Sequence, residues 1–175
     1  DYVRWPIVMD VEQSDWVDSG EKDENGEQAT NAIALDYLLV SGKNAYCRYF
    51  TFTQPSGYDM SAVGSAITLT KGNETIDIIY DTEKSVDDKS ADIGEVISSL
   101  KEQGFNPEVN DETKTLCGED AKFTEIKVSA NGKEAFIVSA LFEKNGVTYA
   151  CTYKTSKAGA NTGDFESIVN SISFR

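Results

Sequence analysis

The stretch that decides the fold is residues 121–155, AKFTEIKVSANGKEAFIVSALFEKNGVTYACTYKT. Asn131-Gly132 and Asn145-Gly146 separate three segments that are rich in β-branched and aromatic residues. Asn-Gly between such segments predicts a two-residue hairpin turn, because both residues accept the positive φ that the turn requires. These residues therefore predict three antiparallel strands in a meander.

The middle strand, residues 134–142, has apolar side chains on both of its faces. They are Ala135, Ile137 and Leu141 on one face, and Phe136, Val138, Ala140 and Phe142 on the other. A strand that is apolar on both sides needs cover on both sides. We therefore predict a central strand in a sheet that lies between two layers, with Val138 and Phe142 in the core.

Two amphipathic helices are predicted to lie on this sheet. In residues 92–103 the apolar positions recur at helical spacing, with Asp92 and Glu95 as an N-terminal capping pair and Gly104 as the stop. In residues 163–171 a second stripe contains Phe165, Ile168 and Val169. Hairpins combined with amphipathic helices indicate an α+β fold.

Further strands are predicted upstream of the meander, for a sheet of at least six strands. Residues 3–11 form an edge strand containing Pro6, and residues 33–39 and 46–52 form a hairpin. Residues 66–70 and 75–81 form another hairpin. We expect residues 82–90 to be a loop, and residues 105–117 to be irregular with at most a short strand.

Composition excludes several classes of function. The 175 residues include 16 Lys and Arg against 30 Asp and Glu, for a net charge of −14. This charge disfavours nucleic acid and anionic membranes as partners, and it is compatible with a cationic partner, with metal ions or simply with solubility. The chain has no histidine, which excludes Ser-His-Asp and Cys-His catalysis and zinc sites that use histidine.

The cysteines and the chain start bear on localisation. Cys47, Cys117 and Cys151 form no CxxC pair, and their spacing leaves one disulfide open without choosing its members. The sequence contains no run of 18 apolar residues, so it predicts no transmembrane segment. Because the sequence opens on Asp1, we expect an extracellular or envelope-attached mature protein whose signal region has been removed.

Residues 15–27 form an acidic loop that is a candidate calcium site. Glu21, Asp23, Asn25 and Gly26 match the first, third, fifth and sixth places of a calcium-binding loop. The twelfth place requires a bidentate glutamate and is Ala32. We therefore predict a solvated loop and no metal site.

Aromatic residues and paired acids are the remaining candidates. Strand-like alternation favours a core role over a binding groove for the aromatic set Tyr46, Tyr49, Phe50, Phe52 and Tyr58. Trp5 and Trp16 flank the first loop, at a core edge or at an interaction surface. Glycosidase chemistry needs two carboxyls that face each other, which sequence proximity does not show for Asp77 with Asp81, Asp87 with Asp88, or Glu119 with Asp120. We predict no catalytic residue and no cofactor.

From Tyr46 onward the order of elements resembles the PsbP-like family. The residues that carry this likeness are FTFTQPSGY at 50–58, ITLTKGNETIDIIYD at 67–81, IGEVISSLKEQGF at 93–105, the meander at 122–158 and FESIVNSISF at 165–174. The family takes its name from an extrinsic protein of photosystem II and includes many bacterial lipoprotein domains of unknown role. The resemblance implies an α/β/α sandwich around a central antiparallel meander sheet, an adaptor-like role without catalysis, and no transferable site.

Residues 1–45 do not match the family pattern. We expect them to form an N-terminal β extension or added hairpin, ahead of a PsbP-like domain at residues 46–175. Two functions then compete. The first is a non-catalytic extracytoplasmic interaction or binding module of a secreted or lipid-anchored bacterial protein, with a protein or cell-envelope partner. The alternative is a carboxylate-based or metal-dependent hydrolase that acts on an extracellular polymer, which needs two converging carboxyls with raised pKa values in a pocket.

Overall fold

The computed structural model describes residues 38–156 and 162–175. These residues form eleven strands and two helices. In chain order they are β1 (Leu39–Ser41), β2 (Asn44–Tyr46), β3 (Phe50–Thr53), β4 (Asp59–Val63), β5 (Ala66–Lys71), β6 (Glu74–Asp81), α1 (Val86–Glu102), β7 (Glu108–Leu116), β8 (Glu119–Ala130), β9 (Lys133–Lys144), β10 (Val147–Thr155), α2 (Thr162–Asn170) and β11 (Ser173–Phe174).

The main sheet has seven strands in the order β4-β5-β6-β10-β9-β8-β7, and every pair in it is antiparallel. The predicted meander is confirmed as β8, β9 and β10. Asn131 and Asn145 have φ values of 51° and 53°, so both Asn-Gly turns have the expected conformation. A smaller sheet has the order β1-β2-β3-β11.

The main sheet lies between two layers, which confirms the α+β sandwich. On the inner face, α2 packs Phe165 against Phe123 and Tyr153, with ring centroids 6.2 and 6.0 Å apart. The small sheet covers the same face, where Phe50 lies edge-on to Tyr149 at 5.8 Å. On the outer face lies α1, whose Lys89 reaches Asp81 of β6 at 3.0 Å.

The two layers differ in how completely their side chains are buried. The inner face holds the main core, in which Val138 and Phe142 are fully buried as predicted. Leu141 on the outer face is also buried, whereas Ala135 is exposed and Ile137 is only half-buried. The prediction of cover on both sides of β9 is therefore confirmed for residues 138–142 and is wrong for the first half of the strand. However, α1 itself has no fully buried residue, and its Val96 is 46% exposed. The outer layer is therefore thin, because α1 packs on the surface of the sheet without fully burying any of its side chains.

The predicted start of α1 at Asp92 is wrong, because the helix begins earlier in the chain, at Val86. Ser85 is the N-cap, and its side chain accepts from the backbone N–H of Asp88 at 3.1 Å. The Asp88 carboxylate accepts in turn from the Ser85 backbone at 2.8 Å. This reciprocal cap satisfies free backbone donors of the first turn, so residues 86–91, in which Val86 and Ala91 are the only apolar side chains, still become helix. Gly104, with a φ of 88°, ends the helix as predicted.

Three further segments differ from what the sequence predicted. The strand expected at residues 46–52 is split into β2 and β3, because the Cys47 N–H donates to the Phe50 carbonyl at 3.1 Å and closes a tight turn. Residues 59–63, for which no element was predicted, form β4, since β5 offers them an edge to pair with. Residues 108–116 form the long strand β7 instead of an irregular segment.

Several predictions fall on residues outside the described part of the chain. They concern the strands at residues 3–11 and 33–37, the acidic loop at residues 15–27, and Trp5 and Trp16. The division into an extension at residues 1–45 and a domain at residues 46–175 stays a prediction. Neither described helix has the length and apolar character that crossing a membrane would require.

Candidate functional site: the edge strand β7

β7 forms one edge of the main sheet, although its sequence EVNDETKTL is poor in strand-forming residues. All nine of its residues pair with β8 in one unbroken register, from Glu108 opposite Lys127 to Leu116 opposite Glu119. The side chain of Leu116 is buried and fixes the end of the strand in the core. Pairing and anchoring therefore override the local preference of these residues.

The turn between β7 and β8 is the second anchor of this edge. Cys117 adopts a φ of 55°, which is rare for residues other than glycine, asparagine and aspartate. Its N–H donates to the Asn170 side chain at 2.8 Å, and its carbonyl accepts from Lys144 Nζ at 2.7 Å. These contacts tie the hairpin to the end of α2 and to β9.

Lys114 fixes the inner face of β7 to α2. Its ammonium lies 3.2 Å from Glu112 and 3.2 Å from Glu166 of α2. It also lies 4.2 Å from the centroid of the Phe123 ring, within the range of a cation–π contact. The only cation on β7 is therefore fully engaged inside this fold.

The free edge of β7 is exposed and acidic. Residues 108–113 are all exposed, and no described strand pairs with the outer side of β7. The acids on it are Glu108, Asp111 and Glu112, of which Asp111 accepts from the Thr124 hydroxyl at 2.7 Å. The neighbouring cations of β8 are paired elsewhere, Lys122 with Asp87 at 2.6 Å and Lys127 with Glu134 at 3.5 Å. The edge thus combines unpaired backbone groups with an excess of negative charge.

The aromatic set predicted from sequence belongs mostly to the core. Tyr46, Phe50, Phe52 and Tyr58 are buried, and the partly buried Tyr49 packs against them. Tyr49 lies 5.5 Å from the ring of Tyr80 between centroids. The core interpretation is confirmed for these residues.

The paired acids make structural contacts, and among the described residues they do not form an acid–base pair. Asp77 accepts from the Thr68 hydroxyl at 2.8 Å, and Glu119 lies 3.3 Å from Lys144. The backbone N–H of Lys84, followed by that of Glu83, lowers the pKa of Asp81 to about 2. This direction is opposite to the one that a general acid needs near neutral pH.

A shallow cavity near α2 is not lined by any acidic residue. Its volume is about 380 Å³, and it is lined by Thr53, Gln54, Pro55, Ser167, Ile168 and Ser171. Within residues 38–156 and 162–175, no group of three or more Cys, Asp or Glu side chains is arranged to hold a metal ion.

The three cysteines are free thiols. Cys47 and Cys151 are buried, and Cys117 is half-buried. Burial raises the pKa of the Cys117 thiol to about 11 and also raises that of Cys47. Because the thiolate is the reactive form, burial disfavours reaction of these two side chains near neutral pH.

Comparison with known proteins gives similarity of structure only. No family model matches this chain, and no curated protein matches it. A solved protein from Bacteroides thetaiotaomicron is similar over 79% of this chain and 48% of its own, with 12% identity and a TM-score of 0.52. This chain thus spans about half the length of that protein, and the likeness concerns the fold alone.

Two further solved structures are less similar. Cyanobacterial PsbP from Synechocystis is similar over 81% of this chain and 94% of its own, with 13% identity and a TM-score of 0.48. LpqN of Mycobacterium tuberculosis, described as involved in cell envelope biogenesis, is similar over 68% of this chain and 80% of its own, with 16% identity and a TM-score of 0.37. A PsbP is thus among the similar structures, as the resemblance of the sequence predicted.

Sequence reasoning missed the β7 edge. The signal that could have revealed it is the Cys117-Gly118 dipeptide, which occupies the same place between two strands as the Asn-Gly pairs and has φ values of 55° and 79°. Cysteine is not a residue that predicts such a turn, so the preceding polar segment had no reason to be assigned as a strand.

Proposed function

We propose that this protein is a non-catalytic extracytoplasmic module that binds a protein or cell-envelope partner along the free edge of β7. The observation that carries the proposal is the nine-residue edge itself, exposed over its first six residues and anchored at its end. An unpaired edge presents a row of backbone donors and acceptors, and extended segments of other chains bind to such rows by adding a strand.

The extracytoplasmic location is the second part of the proposal. It is supported by the resemblance of residues 46–175 to a family that includes many bacterial lipoprotein domains. Buried thiols are also compatible with an oxidising compartment, because they are shielded from disulfide exchange. Fractionation of the native cells, with protease treatment before and after lysis, tests the location. Protection of the protein in intact spheroplasts would contradict it.

Photo-crosslinking tests the use of the edge. A photoreactive amino acid replaces the exposed Asn110 on β7 in one variant, and the exposed Ser61 on β4, at the opposite edge of the sheet, in the control. After irradiation with an envelope extract of the native source, we expect a discrete adduct from position 110 and none from position 61. Equal adducts from both positions, or no adduct from position 110, would show that the β7 edge is not the binding surface.

A further inference from the structure

We propose that the partner segment is an extended, cationic stretch of a protein that joins the main sheet as an eighth strand beside β7. This inference rests on the proposed function and adds the chemical class of its ligand. At about 3.3 Å per residue the edge is about 30 Å long, which accommodates a segment of eight or nine residues. Backbone hydrogen bonds would supply the affinity, and side chains opposite the acids of β7 would supply the selectivity.

Charge complementarity selects a cationic segment. The exposed part of β7 contains Glu108, Asp111 and Glu112, of which Glu112 is itself paired with Lys114. The nearby Lys122 and Lys127 pair with Asp87 and Glu134, so Glu108 and Asp111 have no ion-pair partner among the described residues. Opposite charges across paired strands stabilise the pairing, whereas like charges destabilise it. A strand that bears Lys or Arg therefore binds more tightly at this edge, and an acidic strand is repelled.

A second copy of this chain does not fit the same edge. Pairing of β7 with itself would bring Glu108, Asp111 and Glu112 of two molecules to one seam, and each molecule has a net charge of −14. Natural proteins use edge charges of this kind to prevent self-association. The acids of β7 thus block self-pairing and leave the edge available to a partner of opposite charge.

The other edge of the main sheet is a poorer candidate. β4 has five residues against nine in β7, and Asp59 is its single charged residue. Asp59 is exposed, so replacing it provides a matched control at the opposite edge of the same sheet.

The positions of the acids predict the pattern of the partner. Along a strand, alternate residues face opposite sides, so Glu108 and Glu112 lie on the inner side of the edge and Asp111 on the outer side. An antiparallel partner would place cations opposite residues 112, 111 and 108, which gives two adjacent cations and a third three residues later. The synthetic peptide VKKVTKVT has this pattern and serves as the probe.

The experiment is an amide NMR titration of the whole chain with VKKVTKVT up to millimolar concentration. We expect shifts at β7 and slower hydrogen exchange at alternate residues of β7, because only the outward N–H groups gain acceptors. The variant Asp111→Lys should weaken binding about fivefold, the upper range for an exposed ion pair, and Asp59→Lys less than twofold. The amide spectrum of each variant shows whether it is folded, and Glu108→Lys provides a second test of the charge.

Peptides methylated at alternate backbone nitrogens separate strand addition from simple attraction between charges. Two such peptides exist, one for each edge of the added strand, and both keep every charge. We expect one of them to lose binding and the other to keep it, because only one edge of the peptide faces β7. Equal binding of the two methylated peptides, equal binding of a peptide with Glu in place of Lys, or no change at β7 would overturn the inference. If these peptides fail while position 110 still forms its adduct, the ligand class is wrong and the proposed function stands.

Discussion

Replacing Phe142 with alanine tests how the core is built. The Phe142 ring is fully buried on the inner face of β9. It stacks on Tyr149 with centroids 5.2 Å apart and planes inclined by 15°, and it meets Phe174 edge-on at 6.4 Å. Truncating a buried phenylalanine costs about 3–5 kcal/mol, and each ring contact adds about 0.5–1.5 kcal/mol beyond the buried area. We therefore expect Phe142→Ala to lower the free energy of unfolding by about 4–5 kcal/mol.

Its neighbour Leu141 provides the matched control, because it is buried on the outer face, under α1. Leucine-to-alanine changes cost about 2–5 kcal/mol, and the cost falls when the surroundings can collapse into the space left behind. Because α1 has no fully buried residue, it can settle towards the sheet. We expect Leu141→Ala to cost about 2–3 kcal/mol, at least about 1 kcal/mol less than Phe142→Ala.

Urea denaturation at constant pH measures both variants, provided that they keep the slope of the wild type. For a domain of this size, a loss of about 4–5 kcal/mol corresponds to a fall in melting temperature of about 8–20 °C. Equal losses at the two positions would refute the asymmetry between thick inner and thin outer layers. A loss below about 2 kcal/mol for Phe142→Ala would refute its place in the core.

Three other predictions concern polar groups. Ser139 Oγ is buried without a hydrogen-bond partner, so Ser139→Ala should leave stability to urea unchanged or raise it by up to about 1 kcal/mol, and a larger loss would reveal a missing partner. The pKa of Asp81 is lowered from 3.8 to about 2, chiefly by the backbone N–H of Lys84. Its stabilisation is therefore complete above about pH 4 and is lost as the pH falls towards 2, and Asp81→Asn should remove that part of the acid dependence of the urea midpoint. For the acidic loop at residues 15–27, thermal melts with calcium, EDTA and charge-matched salt should show no calcium-specific shift, whereas a shift abolished by Asp23→Ala would establish a metal site.

Local patterns predicted those elements whose residues signal their own structure. The Asn131 and Asn145 turns, the amphipathic stripe of α2 and the apolar residues of β9 needed no knowledge of their neighbours. The start of α1 was missed because its first turns carry polar residues, and periodicity of apolar residues cannot detect a helix turn that is stabilised by the Ser85 cap. The turn at Cys117 was missed because its positive φ is imposed by contacts with distant residues.

The candidate site could not be predicted from the sequence either, because it also depends on contacts between distant residues. Its acids, Glu108, Asp111 and Glu112, are ordinary residues of a polar segment until β8 aligns them along one edge. Lys114 pairs with Glu112 and Glu166 on the inner face, which leaves Glu108 and Asp111 without a cation among the described ion pairs. An edge is a property of the whole sheet, because a strand becomes an edge only when no other strand lies beyond it.

The sequence alone determined the meander, the α+β class, the two-sided burial of β9 at residues 138–142 and the exclusion of histidine chemistry, because turn preference, side-chain alternation and composition are local or additive properties. Tertiary structure alone decided that α1 forms a thin layer and that, among the described strands, β7 ends the sheet with its acids exposed. These features depend on which segments come together in space, and the free energy of such contacts between distant segments is not written in any single stretch of the chain.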